Sequence, residues 1–259
     1  MEPRKHKKSN SPADALLRFS LLLGFISLFV WLDMTEQFSL YINPRFITLV
    51  QYSYWLLLPL LVVQFFDLLL PDDRIRPSGC SRYIPFCIIL TLAVCLPDNT
   101  LNASLVSSKG LNQQKAVLNT ASPKTEMPRP LKQELQQAEL IRVTDRNYTE
   151  VMSEINEFPQ DYTGKQVTLT GFVFRSPGLA ENQLSLVRYV IVCCVADALP
   201  YGVMCETDDA KQYPDGTWLT GKGTLEMSHY KGQTTPVLKL TSIQVIKEPE
   251  KPYVFPYDD

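Results

Sequence analysis

Two long apolar runs near the start of the chain constrain its fold more than any other feature. They cover residues 16–32 and 47–70, and each contains a single charged residue, Arg18 and Asp67 respectively. At 1.5 Å per residue, either run is long enough to cross the roughly 30 Å hydrocarbon core of a bilayer as a helix. Neither run shows the polar face that a helix packed on a soluble core would need. We therefore predict two membrane-spanning helices.

A third apolar run, YIPFCIILTLAVCL, begins at Tyr83 and is only fourteen residues long. This length fits a short span, a re-entrant segment or a buried helix. Arg82 precedes the run and Asp98 follows it, so a charged residue flanks each end, as expected at the two interfaces of a membrane. We therefore favour a third span at about 83–97. Basic residues precede the first run, as they do in a secretory signal peptide. No small-x-small cleavage site follows the run, however, so we expect an uncleaved anchor and not a cleaved signal peptide.

The basic residues in the short flanks predict the orientation. Four basic residues precede the first run and three arginines lie in the loop 71–82, whereas the loop 33–46 has only Arg45. The positive-inside rule then places the N-terminal tail and the second loop in the cytoplasm. If the third run spans, the C-terminal part is extracytoplasmic; if it does not, that part is cytoplasmic.

The rest of the chain divides into a linker and a folded domain. We assign residues 1–97 to the transmembrane region, 98–146 to a polar linker with a short helix around 131–141, and 147–259 to the domain. A short helix over 150–158 opens the domain. Five strands are predicted after it from alternating or continuous apolar segments, at 164–175, 189–195, 201–207, 217–227 and 235–246.

Five short strands, with glycines where strands would bend, favour an OB-like five-stranded β-barrel. The expected fold class is thus a membrane-anchored α plus β chain. Nine basic and fifteen acidic residues lie between Asn147 and the C-terminus, a net charge of −6. Because phosphate binding relies on a basic surface, we expect no nucleic-acid partner.

The segment RYVIVCCVADALPYGVMCE, which starts at Arg188, carries the candidate site. Side chains alternate in a strand, so we expect Cys193 and Cys194 to diverge, with one of them packed inside. Joint ligation would require the strand to break between or just after them, and Asp197 favours such a turn. A hairpin pairing Val195 with Gly202 would bring Cys205 to the face of Cys194.

Three interpretations of these cysteines remain open. In the first, the cysteines are buried core residues. In the second, they are ligands of a soft metal ion together with Asp197 or His229. In the third, they form a redox or disulfide pair, for which Cys194 and Cys205 are the better partners. No CxxC spacing, Ser-His-Asp set, Walker loop or GxGxxG motif occurs in the sequence. We therefore expect no catalytic residues and no required cofactor.

Four segments of the chain resemble the YcgQ-type family of bacterial membrane proteins, which are uncharacterised and often described as permease subunits. The segments are YINPR at 41–45, NTLNASLVSSKGLN at 99–112, YTGKQVTLTGFVFR at 162–175 and RYVIVCCVADALPYGV at 188–203. The resemblance implies an inner-membrane location and a multi-span permease partner. It implies no ligand and no catalytic residue.

The leading hypothesis is a non-enzymatic accessory subunit of a membrane permease, with an extracytoplasmic domain that gates the permease or captures its substrate. Two alternatives use the cysteines instead. One is an envelope thiol or metal-binding sensor, and the other is a membrane-tethered thiol redox protein. The metal content of the C-terminal domain distinguishes the two alternatives.

Overall fold

The computed structural model describes residues 12–70, 80–95, 101–111, 129–230 and 233–256. The chain forms two compact units. One unit comprises Met1–Ser39 with Arg45–Asp98, and the other comprises Leu40–Pro44 with Asn99–Asp259.

The first unit is helical. Its helices are α1 (Pro12–Met34), α2 (Ile47–Leu69) and α3 (Ile84–Cys95), with 3₁₀ turns at Gln37–Leu40, Pro44–Phe46 and Cys80–Tyr83 beside them. The Asp33 carboxylate accepts hydrogen bonds from the Gln51 amide and the Tyr54 hydroxyl, both at 2.9 Å, which joins the end of α1 to the first turns of α2.

Two helices within the described residues are long and apolar enough to cross a membrane. These stretches, Asp14–Met34 and Pro44–Leu69, have mean hydropathies of 2.1 and 1.8, and only 11% and 6% of their most apolar parts is buried within the protein. A core helix of a soluble protein would instead be mostly covered. The third apolar stretch, Ser81–Cys95, is shorter than these two. A span at 83–97 stays a prediction, and its last two residues lie outside the described part of the chain.

The second unit is built on a sheet that has seven strands in the described part of the chain. Its short helices include α4 (Ala103–Lys109) and α5 (Lys132–Gln137), which precede the first strand, and α6 (Tyr148–Glu157), which follows that strand. The strands are β1 (Leu140–Arg142), β2 (Gln166–Phe174), β3 (Gln183–Val190), β4 (Leu199–Glu206), β5 (Trp218–Tyr230), β6 (Gln233–Val245) and β7 (Tyr253–Val254).

The strand order is β1-β2-β5-β6-β4-β3-β7, with a further antiparallel pairing of β2 to β3. The pairings of β2, β5, β6, β4 and β3 therefore return to β2 and make a closed circuit. The β4–β6, β1–β2 and β3–β7 pairs are parallel, and the others are antiparallel. Strand β2 can pair on both sides because Gly171 lies against β3. A Cβ atom there would come within 2.8 Å of the Val187 backbone nitrogen and oxygen.

Alternation along the strands and one face of α6 supply the buried core of this unit. Val151 and Ile155, four residues apart on α6, are both 1% exposed. They pack with inward residues of the sheet such as Leu169, Leu186 and Leu219. A second cluster contains Ala103 and Val106 of α4 together with aromatic residues, namely Phe172, Phe174, Tyr189, Trp218, Tyr253 and Phe255.

Four predicted strands correspond to β2, β4, β5 and β6, but the strand prediction at 189–195 was wrong. Strand β3 begins at Gln183 and ends at Val190, before the cysteines. The short strands β1 and β7 were not predicted. The second unit also extends beyond residues 147–259, since α4, α5 and β1 fall within 98–146 and belong to it. Residues 112–128 of the predicted linker lie outside the described part.

Candidate functional site

The Cys-Cys segment forms a turn between β3 and β4. Just after β3, the Ile191 N–H still donates to the Val254 carbonyl of β7, at 2.9 Å. The chain then bends through Val192 and Cys193 and forms a 3₁₀ turn at Val195–Asp197 before β4 begins. We call residues 191–198 the Cys-Cys turn.

The Asp197 carboxylate holds the Cys-Cys turn in shape. One of its oxygens accepts the Val192 N–H at 2.9 Å, and the other accepts the N–H groups of Cys193 at 2.7 Å and Cys194 at 3.2 Å. In return, the Asp197 N–H donates to the Cys194 carbonyl at 2.9 Å. Three successive N–H groups thus turn towards one side chain instead of a neighbouring strand. This is the physical reason that the strand ends before the cysteines and not after them.

The break in the strand brings the two thiols together. The Sγ atoms of Cys193 and Cys194 are 3.7 Å apart, and Cys193 is exposed while Cys194 is half-buried. The prediction that the two side chains diverge was therefore wrong, because it assumed a continuous strand. One ligand atom from each of Cys193, Cys194 and Asp197 lies within 4.8 Å of the others.

The electrostatics of the Cys-Cys turn keep the carboxylate charged and the exposed thiol protonated. Partial burial acts to raise the pKa of Asp197, but hydrogen bonds from the Cys193 thiol and the three backbone N–H groups outweigh it and lower that pKa. The hydrogen bond to Asp197, followed by the contact with Cys194, raises the pKa of Cys193 to about 11. Cys193 is therefore a poor nucleophile at neutral pH.

The loop between α1 and α2 pairs with the Cys-Cys turn. Residue Ile42 forms an antiparallel bridge with Cys194. On either side of it, the Asn43 N–H donates to the Cys193 carbonyl at 3.0 Å and the Val195 N–H donates to the Tyr41 carbonyl at 2.8 Å. The Asn43 side chain is buried and donates to the carbonyls of Val192 at 3.1 Å and Ile191 at 3.4 Å.

The segment around α4 also contacts the Cys-Cys turn and the end of β3. The Lys109 ammonium at the end of α4 donates to the carbonyls of Ala198 at 2.7 Å and Ala196 at 3.3 Å. The Tyr189 hydroxyl donates to the carbonyl of Asn102 at 2.8 Å. Three of the four segments that carry the family resemblance, 41–45, 99–112 and 188–203, thus meet at one place. Nothing in the sequence of these segments predicted their contact.

Arg188, which precedes the Cys-Cys turn, is buried, and its contacts are those of a structural residue. Its side chain is 2% exposed, donates to the carbonyls of Pro252 and Lys251 at 2.9 and 3.1 Å, and pairs with Asp145 at 2.9 Å. It also lies 5.3 Å from the centre of the Trp218 ring. These contacts fix the segment that leads into β7.

The two remaining predicted site residues lie elsewhere. Cys205 lies on β4, where it is paired with Leu184 of β3. It is fully buried, and this burial raises the pKa of its thiol to about 12. The predicted hairpin register was wrong because Gly202 pairs with Val187 and not with Val195. His229 is exposed on β5 opposite Thr234. Neither residue belongs to the group formed by Cys193, Cys194 and Asp197.

Models of two domains of one family match the chain. The DUF1980 N-terminal domain matches residues 17–112, and the DUF1980 C-terminal domain matches residues 118–256. The chain is 25% identical to the UPF0703 protein YcgQ of Bacillus subtilis, over 93% of this chain and 99% of that protein, which confirms the resemblance. It is 27% identical to a Streptococcus mutans protein, with the same coverage of both chains, and that protein is named as a candidate subunit of a two-component membrane permease complex.

Among solved structures, the small single-stranded DNA-binding protein of Streptomyces coelicolor aligns with 32% of this chain and 95% of its own. The identity is 12% and the TM-score is 0.21, a likeness too weak to define a fold or a ligand. The two apolar helices and the membrane relative together support a membrane location.

Proposed function

The chain belongs to the DUF1980 family, and from this premise we propose that it is a non-enzymatic accessory subunit of a two-component membrane permease complex. The Streptococcus relative, which matches along almost its whole length, supports this role. We propose further that the C-terminal domain gates the permease or captures its substrate on the extracytoplasmic side.

One structural observation carries this proposal. Residues Leu40–Pro44 belong to the C-terminal unit, although they lie between the two long apolar helices in the chain. Only five residues separate Met34, the end of α1, from this segment, and only Arg45 and Phe46 separate the segment from Ile47, where α2 begins. The C-terminal unit is therefore covalently connected to the helical unit on both sides of residues 40–44 as well as after α3. A domain connected in this way is coupled to the membrane helices more directly than a domain on a single flexible linker.

The same observation supports the predicted topology. If α1 and α2 both span, the domain lies on the side of the α1–α2 loop. The chain must then cross once more between Leu70 and Leu101, which favours a membrane span at 83–97. With the basic tail in the cytoplasm, the domain is extracytoplasmic. A helix as short as Ser81–Cys95 would be accommodated by local thinning of the bilayer.

The closed circuit of β2, β3, β4, β6 and β5 supports an OB-like barrel for the domain. In this arrangement β1 and β7 are additional strands that pair with β2 and β3, respectively. The fold itself says nothing about the ligand, since barrels of this kind serve many functions.

The test of the partner is purification of the tagged full-length protein from its native membrane in mild detergent. We expect a multi-span membrane protein to copurify in a fixed ratio, and a tagged membrane protein from another family serves as the control. Recovery of the chain without any such partner, or with the same proteins as the control, would contradict the permease role.

The test of topology uses alkaline phosphatase fused after Glu36, Arg76 or Asp259. The first and third fusions should be active and the second inactive, because only the extracytoplasmic side supports folding of this reporter. An inactive fusion after Asp259 beside an active fusion after Glu36 would exclude the three-span arrangement.

A further inference from the structure

We propose that Cys193, Cys194 and Asp197 bind a zinc ion on the Cys-Cys turn, with the fourth coordination position open to solvent. This site goes beyond the permease role and does not depend on it. The ligands come from one short turn whose shape is set by backbone hydrogen bonds and by the α1–α2 loop.

The distance between the thiols suits tetrahedral coordination. With metal–sulfur bonds of about 2.3 Å, two thiolates at the tetrahedral angle stand roughly 3.8 Å apart. The Sγ atoms of Cys193 and Cys194 are 3.7 Å apart. A linear two-coordinate ion such as Cu(I) would need the sulfur atoms at nearly twice the bond length, and therefore a rearrangement of the turn. Hard cations such as Mg²⁺ and Ca²⁺ prefer an all-oxygen shell.

Asp197 has room for one metal bond. An ionised carboxylate offers about four lone-pair sites, and three are used by the N–H groups of Val192, Cys193 and Cys194. The remaining contact comes from the Cys193 thiol. A zinc ion would take the place of that thiol proton. Binding releases the two thiol protons to solvent, and no electron is transferred.

The surroundings leave one side of the site open and stabilise the other. Cys193 is exposed, so water or a small ligand can reach the ion. On the protein side, the Lys109 ammonium is held at the carbonyls of Ala196 and Ala198, where it adds positive charge to a turn that would carry two thiolates and a carboxylate. Three protein ligands with one open position are typical of zinc sites that exchange a bound water, whereas closed structural sites use four protein ligands.

The position of the site couples it to the α1–α2 loop. The carbonyl of Cys193 accepts the Asn43 N–H, and Cys194 is bridged to Ile42. An ion that fixes both cysteines also fixes the strand pairing with this loop. Zinc should therefore slow amide hydrogen exchange in residues 41–43 as well as in the Cys-Cys turn.

The test is zinc titration of the reduced, chelator-treated full-length protein in detergent, by competition with a chromophoric chelator. We expect one zinc per chain, and a loss of affinity on the order of a hundredfold or more in Cys193→Ser and in Cys194→Ser, because each removes a thiolate ligand. Asp197→Asn should lose about tenfold or more. The matched control is Cys95→Ser, an exposed cysteine outside the C-terminal unit, which should leave the affinity unchanged.

Cobalt substitution provides a readout that does not depend on affinity. Co²⁺ should show the intense d–d bands of four-coordinate geometry and thiolate charge-transfer bands, and each serine variant should weaken the latter. Near-ultraviolet circular dichroism verifies that each variant is folded. Absence of stoichiometric zinc binding, binding unaffected by both serine substitutions, or stoichiometric binding of Cu(I) alone would each overturn the proposal. A Cys193–Cys194 disulfide in the protein isolated without reductant, resistant to reduction, would also overturn it.

Discussion

The Asn43 N–H donates to the Cys193 carbonyl across 3.0 Å, and within the C-terminal unit this bond joins residues 40–44, from the loop between two long apolar helices, to the Cys-Cys turn. The partners are 150 residues apart in sequence, so the contact closes a very long loop. Since such closure costs chain entropy, it must be offset by the paired backbone and the buried Asn43 side chain.

Replacement of Ile42 with Cys should produce a disulfide with Cys194. The two residues form a non-hydrogen-bonded antiparallel pair, because the flanking bonds run from Asn43 to Cys193 and from Val195 to Tyr41. Cα atoms in such pairs are about 4.5 Å apart, within the range of a disulfide. Mild oxidation of I42C, in a background with Cys193→Ser, should give the linked peptide by mass spectrometry.

The control for that cross-link is Ser39→Cys in the same background, three residues earlier in the same loop. It should remain unlinked to Cys194. Equal cross-linking of both variants would mean that the loop samples the turn at random and has no fixed register.

Alkylation of Cys193 in chelator-treated protein should be slow at neutral pH and should accelerate as the pH rises. With a pKa of about 11, its reactive thiolate is about a hundredfold rarer at pH 7 than for a cysteine with a pKa of 9.0. The raised pKa favours the protonated form, so the rate should increase about tenfold per pH unit and level off only near pH 11. Peptide-level mass spectrometry after timed iodoacetamide pulses measures the alkylation rate of Cys193.

Two comparisons make this pH experiment specific. Asp197→Asn removes the charge that raises the Cys193 pKa, so the rate profile should move to lower pH. Glutathione in the same solution serves as the unperturbed thiol. A Cys193 profile that coincides with that of glutathione would contradict the hydrogen bond to Asp197.

Gly171→Val should destabilise the C-terminal unit by on the order of 1–3 kcal/mol. A Cβ atom at this position would come within 2.8 Å of the Val187 backbone, which must then move and weaken the contact between β2 and β3. Thermal unfolding followed by circular dichroism should show a lower midpoint. Lys222→Ala, at an exposed position on the neighbouring strand, is the control and should have almost no effect.

Arg188→Met should loosen the C-terminal strand β7 without removing much side-chain volume. The substitution deletes hydrogen bonds to the carbonyls of Lys251 and Pro252 and the pair with Asp145, at a cost on the order of 1–3 kcal/mol. We expect faster proteolysis after residue 246 and faster hydrogen exchange in β7. Arg142→Met, an exposed arginine on β1, should behave like the unsubstituted protein; matching rates in both variants would contradict the structural role of Arg188.

Local patterns in the sequence determined the elements that depend on periodicity. The two long apolar runs form α1 and α2 because their length and uniform apolarity leave a membrane helix as the simplest way to satisfy the backbone. Alternation identified β2, β5 and β6. The cysteines and Asp197 were singled out because thiols and a carboxylate in a break of pattern offer metal ligands.

Only the tertiary structure decided how these parts are connected. The apolar residues around Cys193 continue the pattern of β3, and nothing in that pattern shows that one carboxylate captures three successive N–H groups. The β3–β4 register depends on pairing along both strands and cannot be deduced from one glycine and a turn. The contact of residues 40–44 with the Cys-Cys turn is a long-range backbone pairing. It leaves no periodic signal, because its hydrogen bonds are formed by backbone C=O groups, which every residue carries, and by backbone N–H groups, which every residue except proline carries.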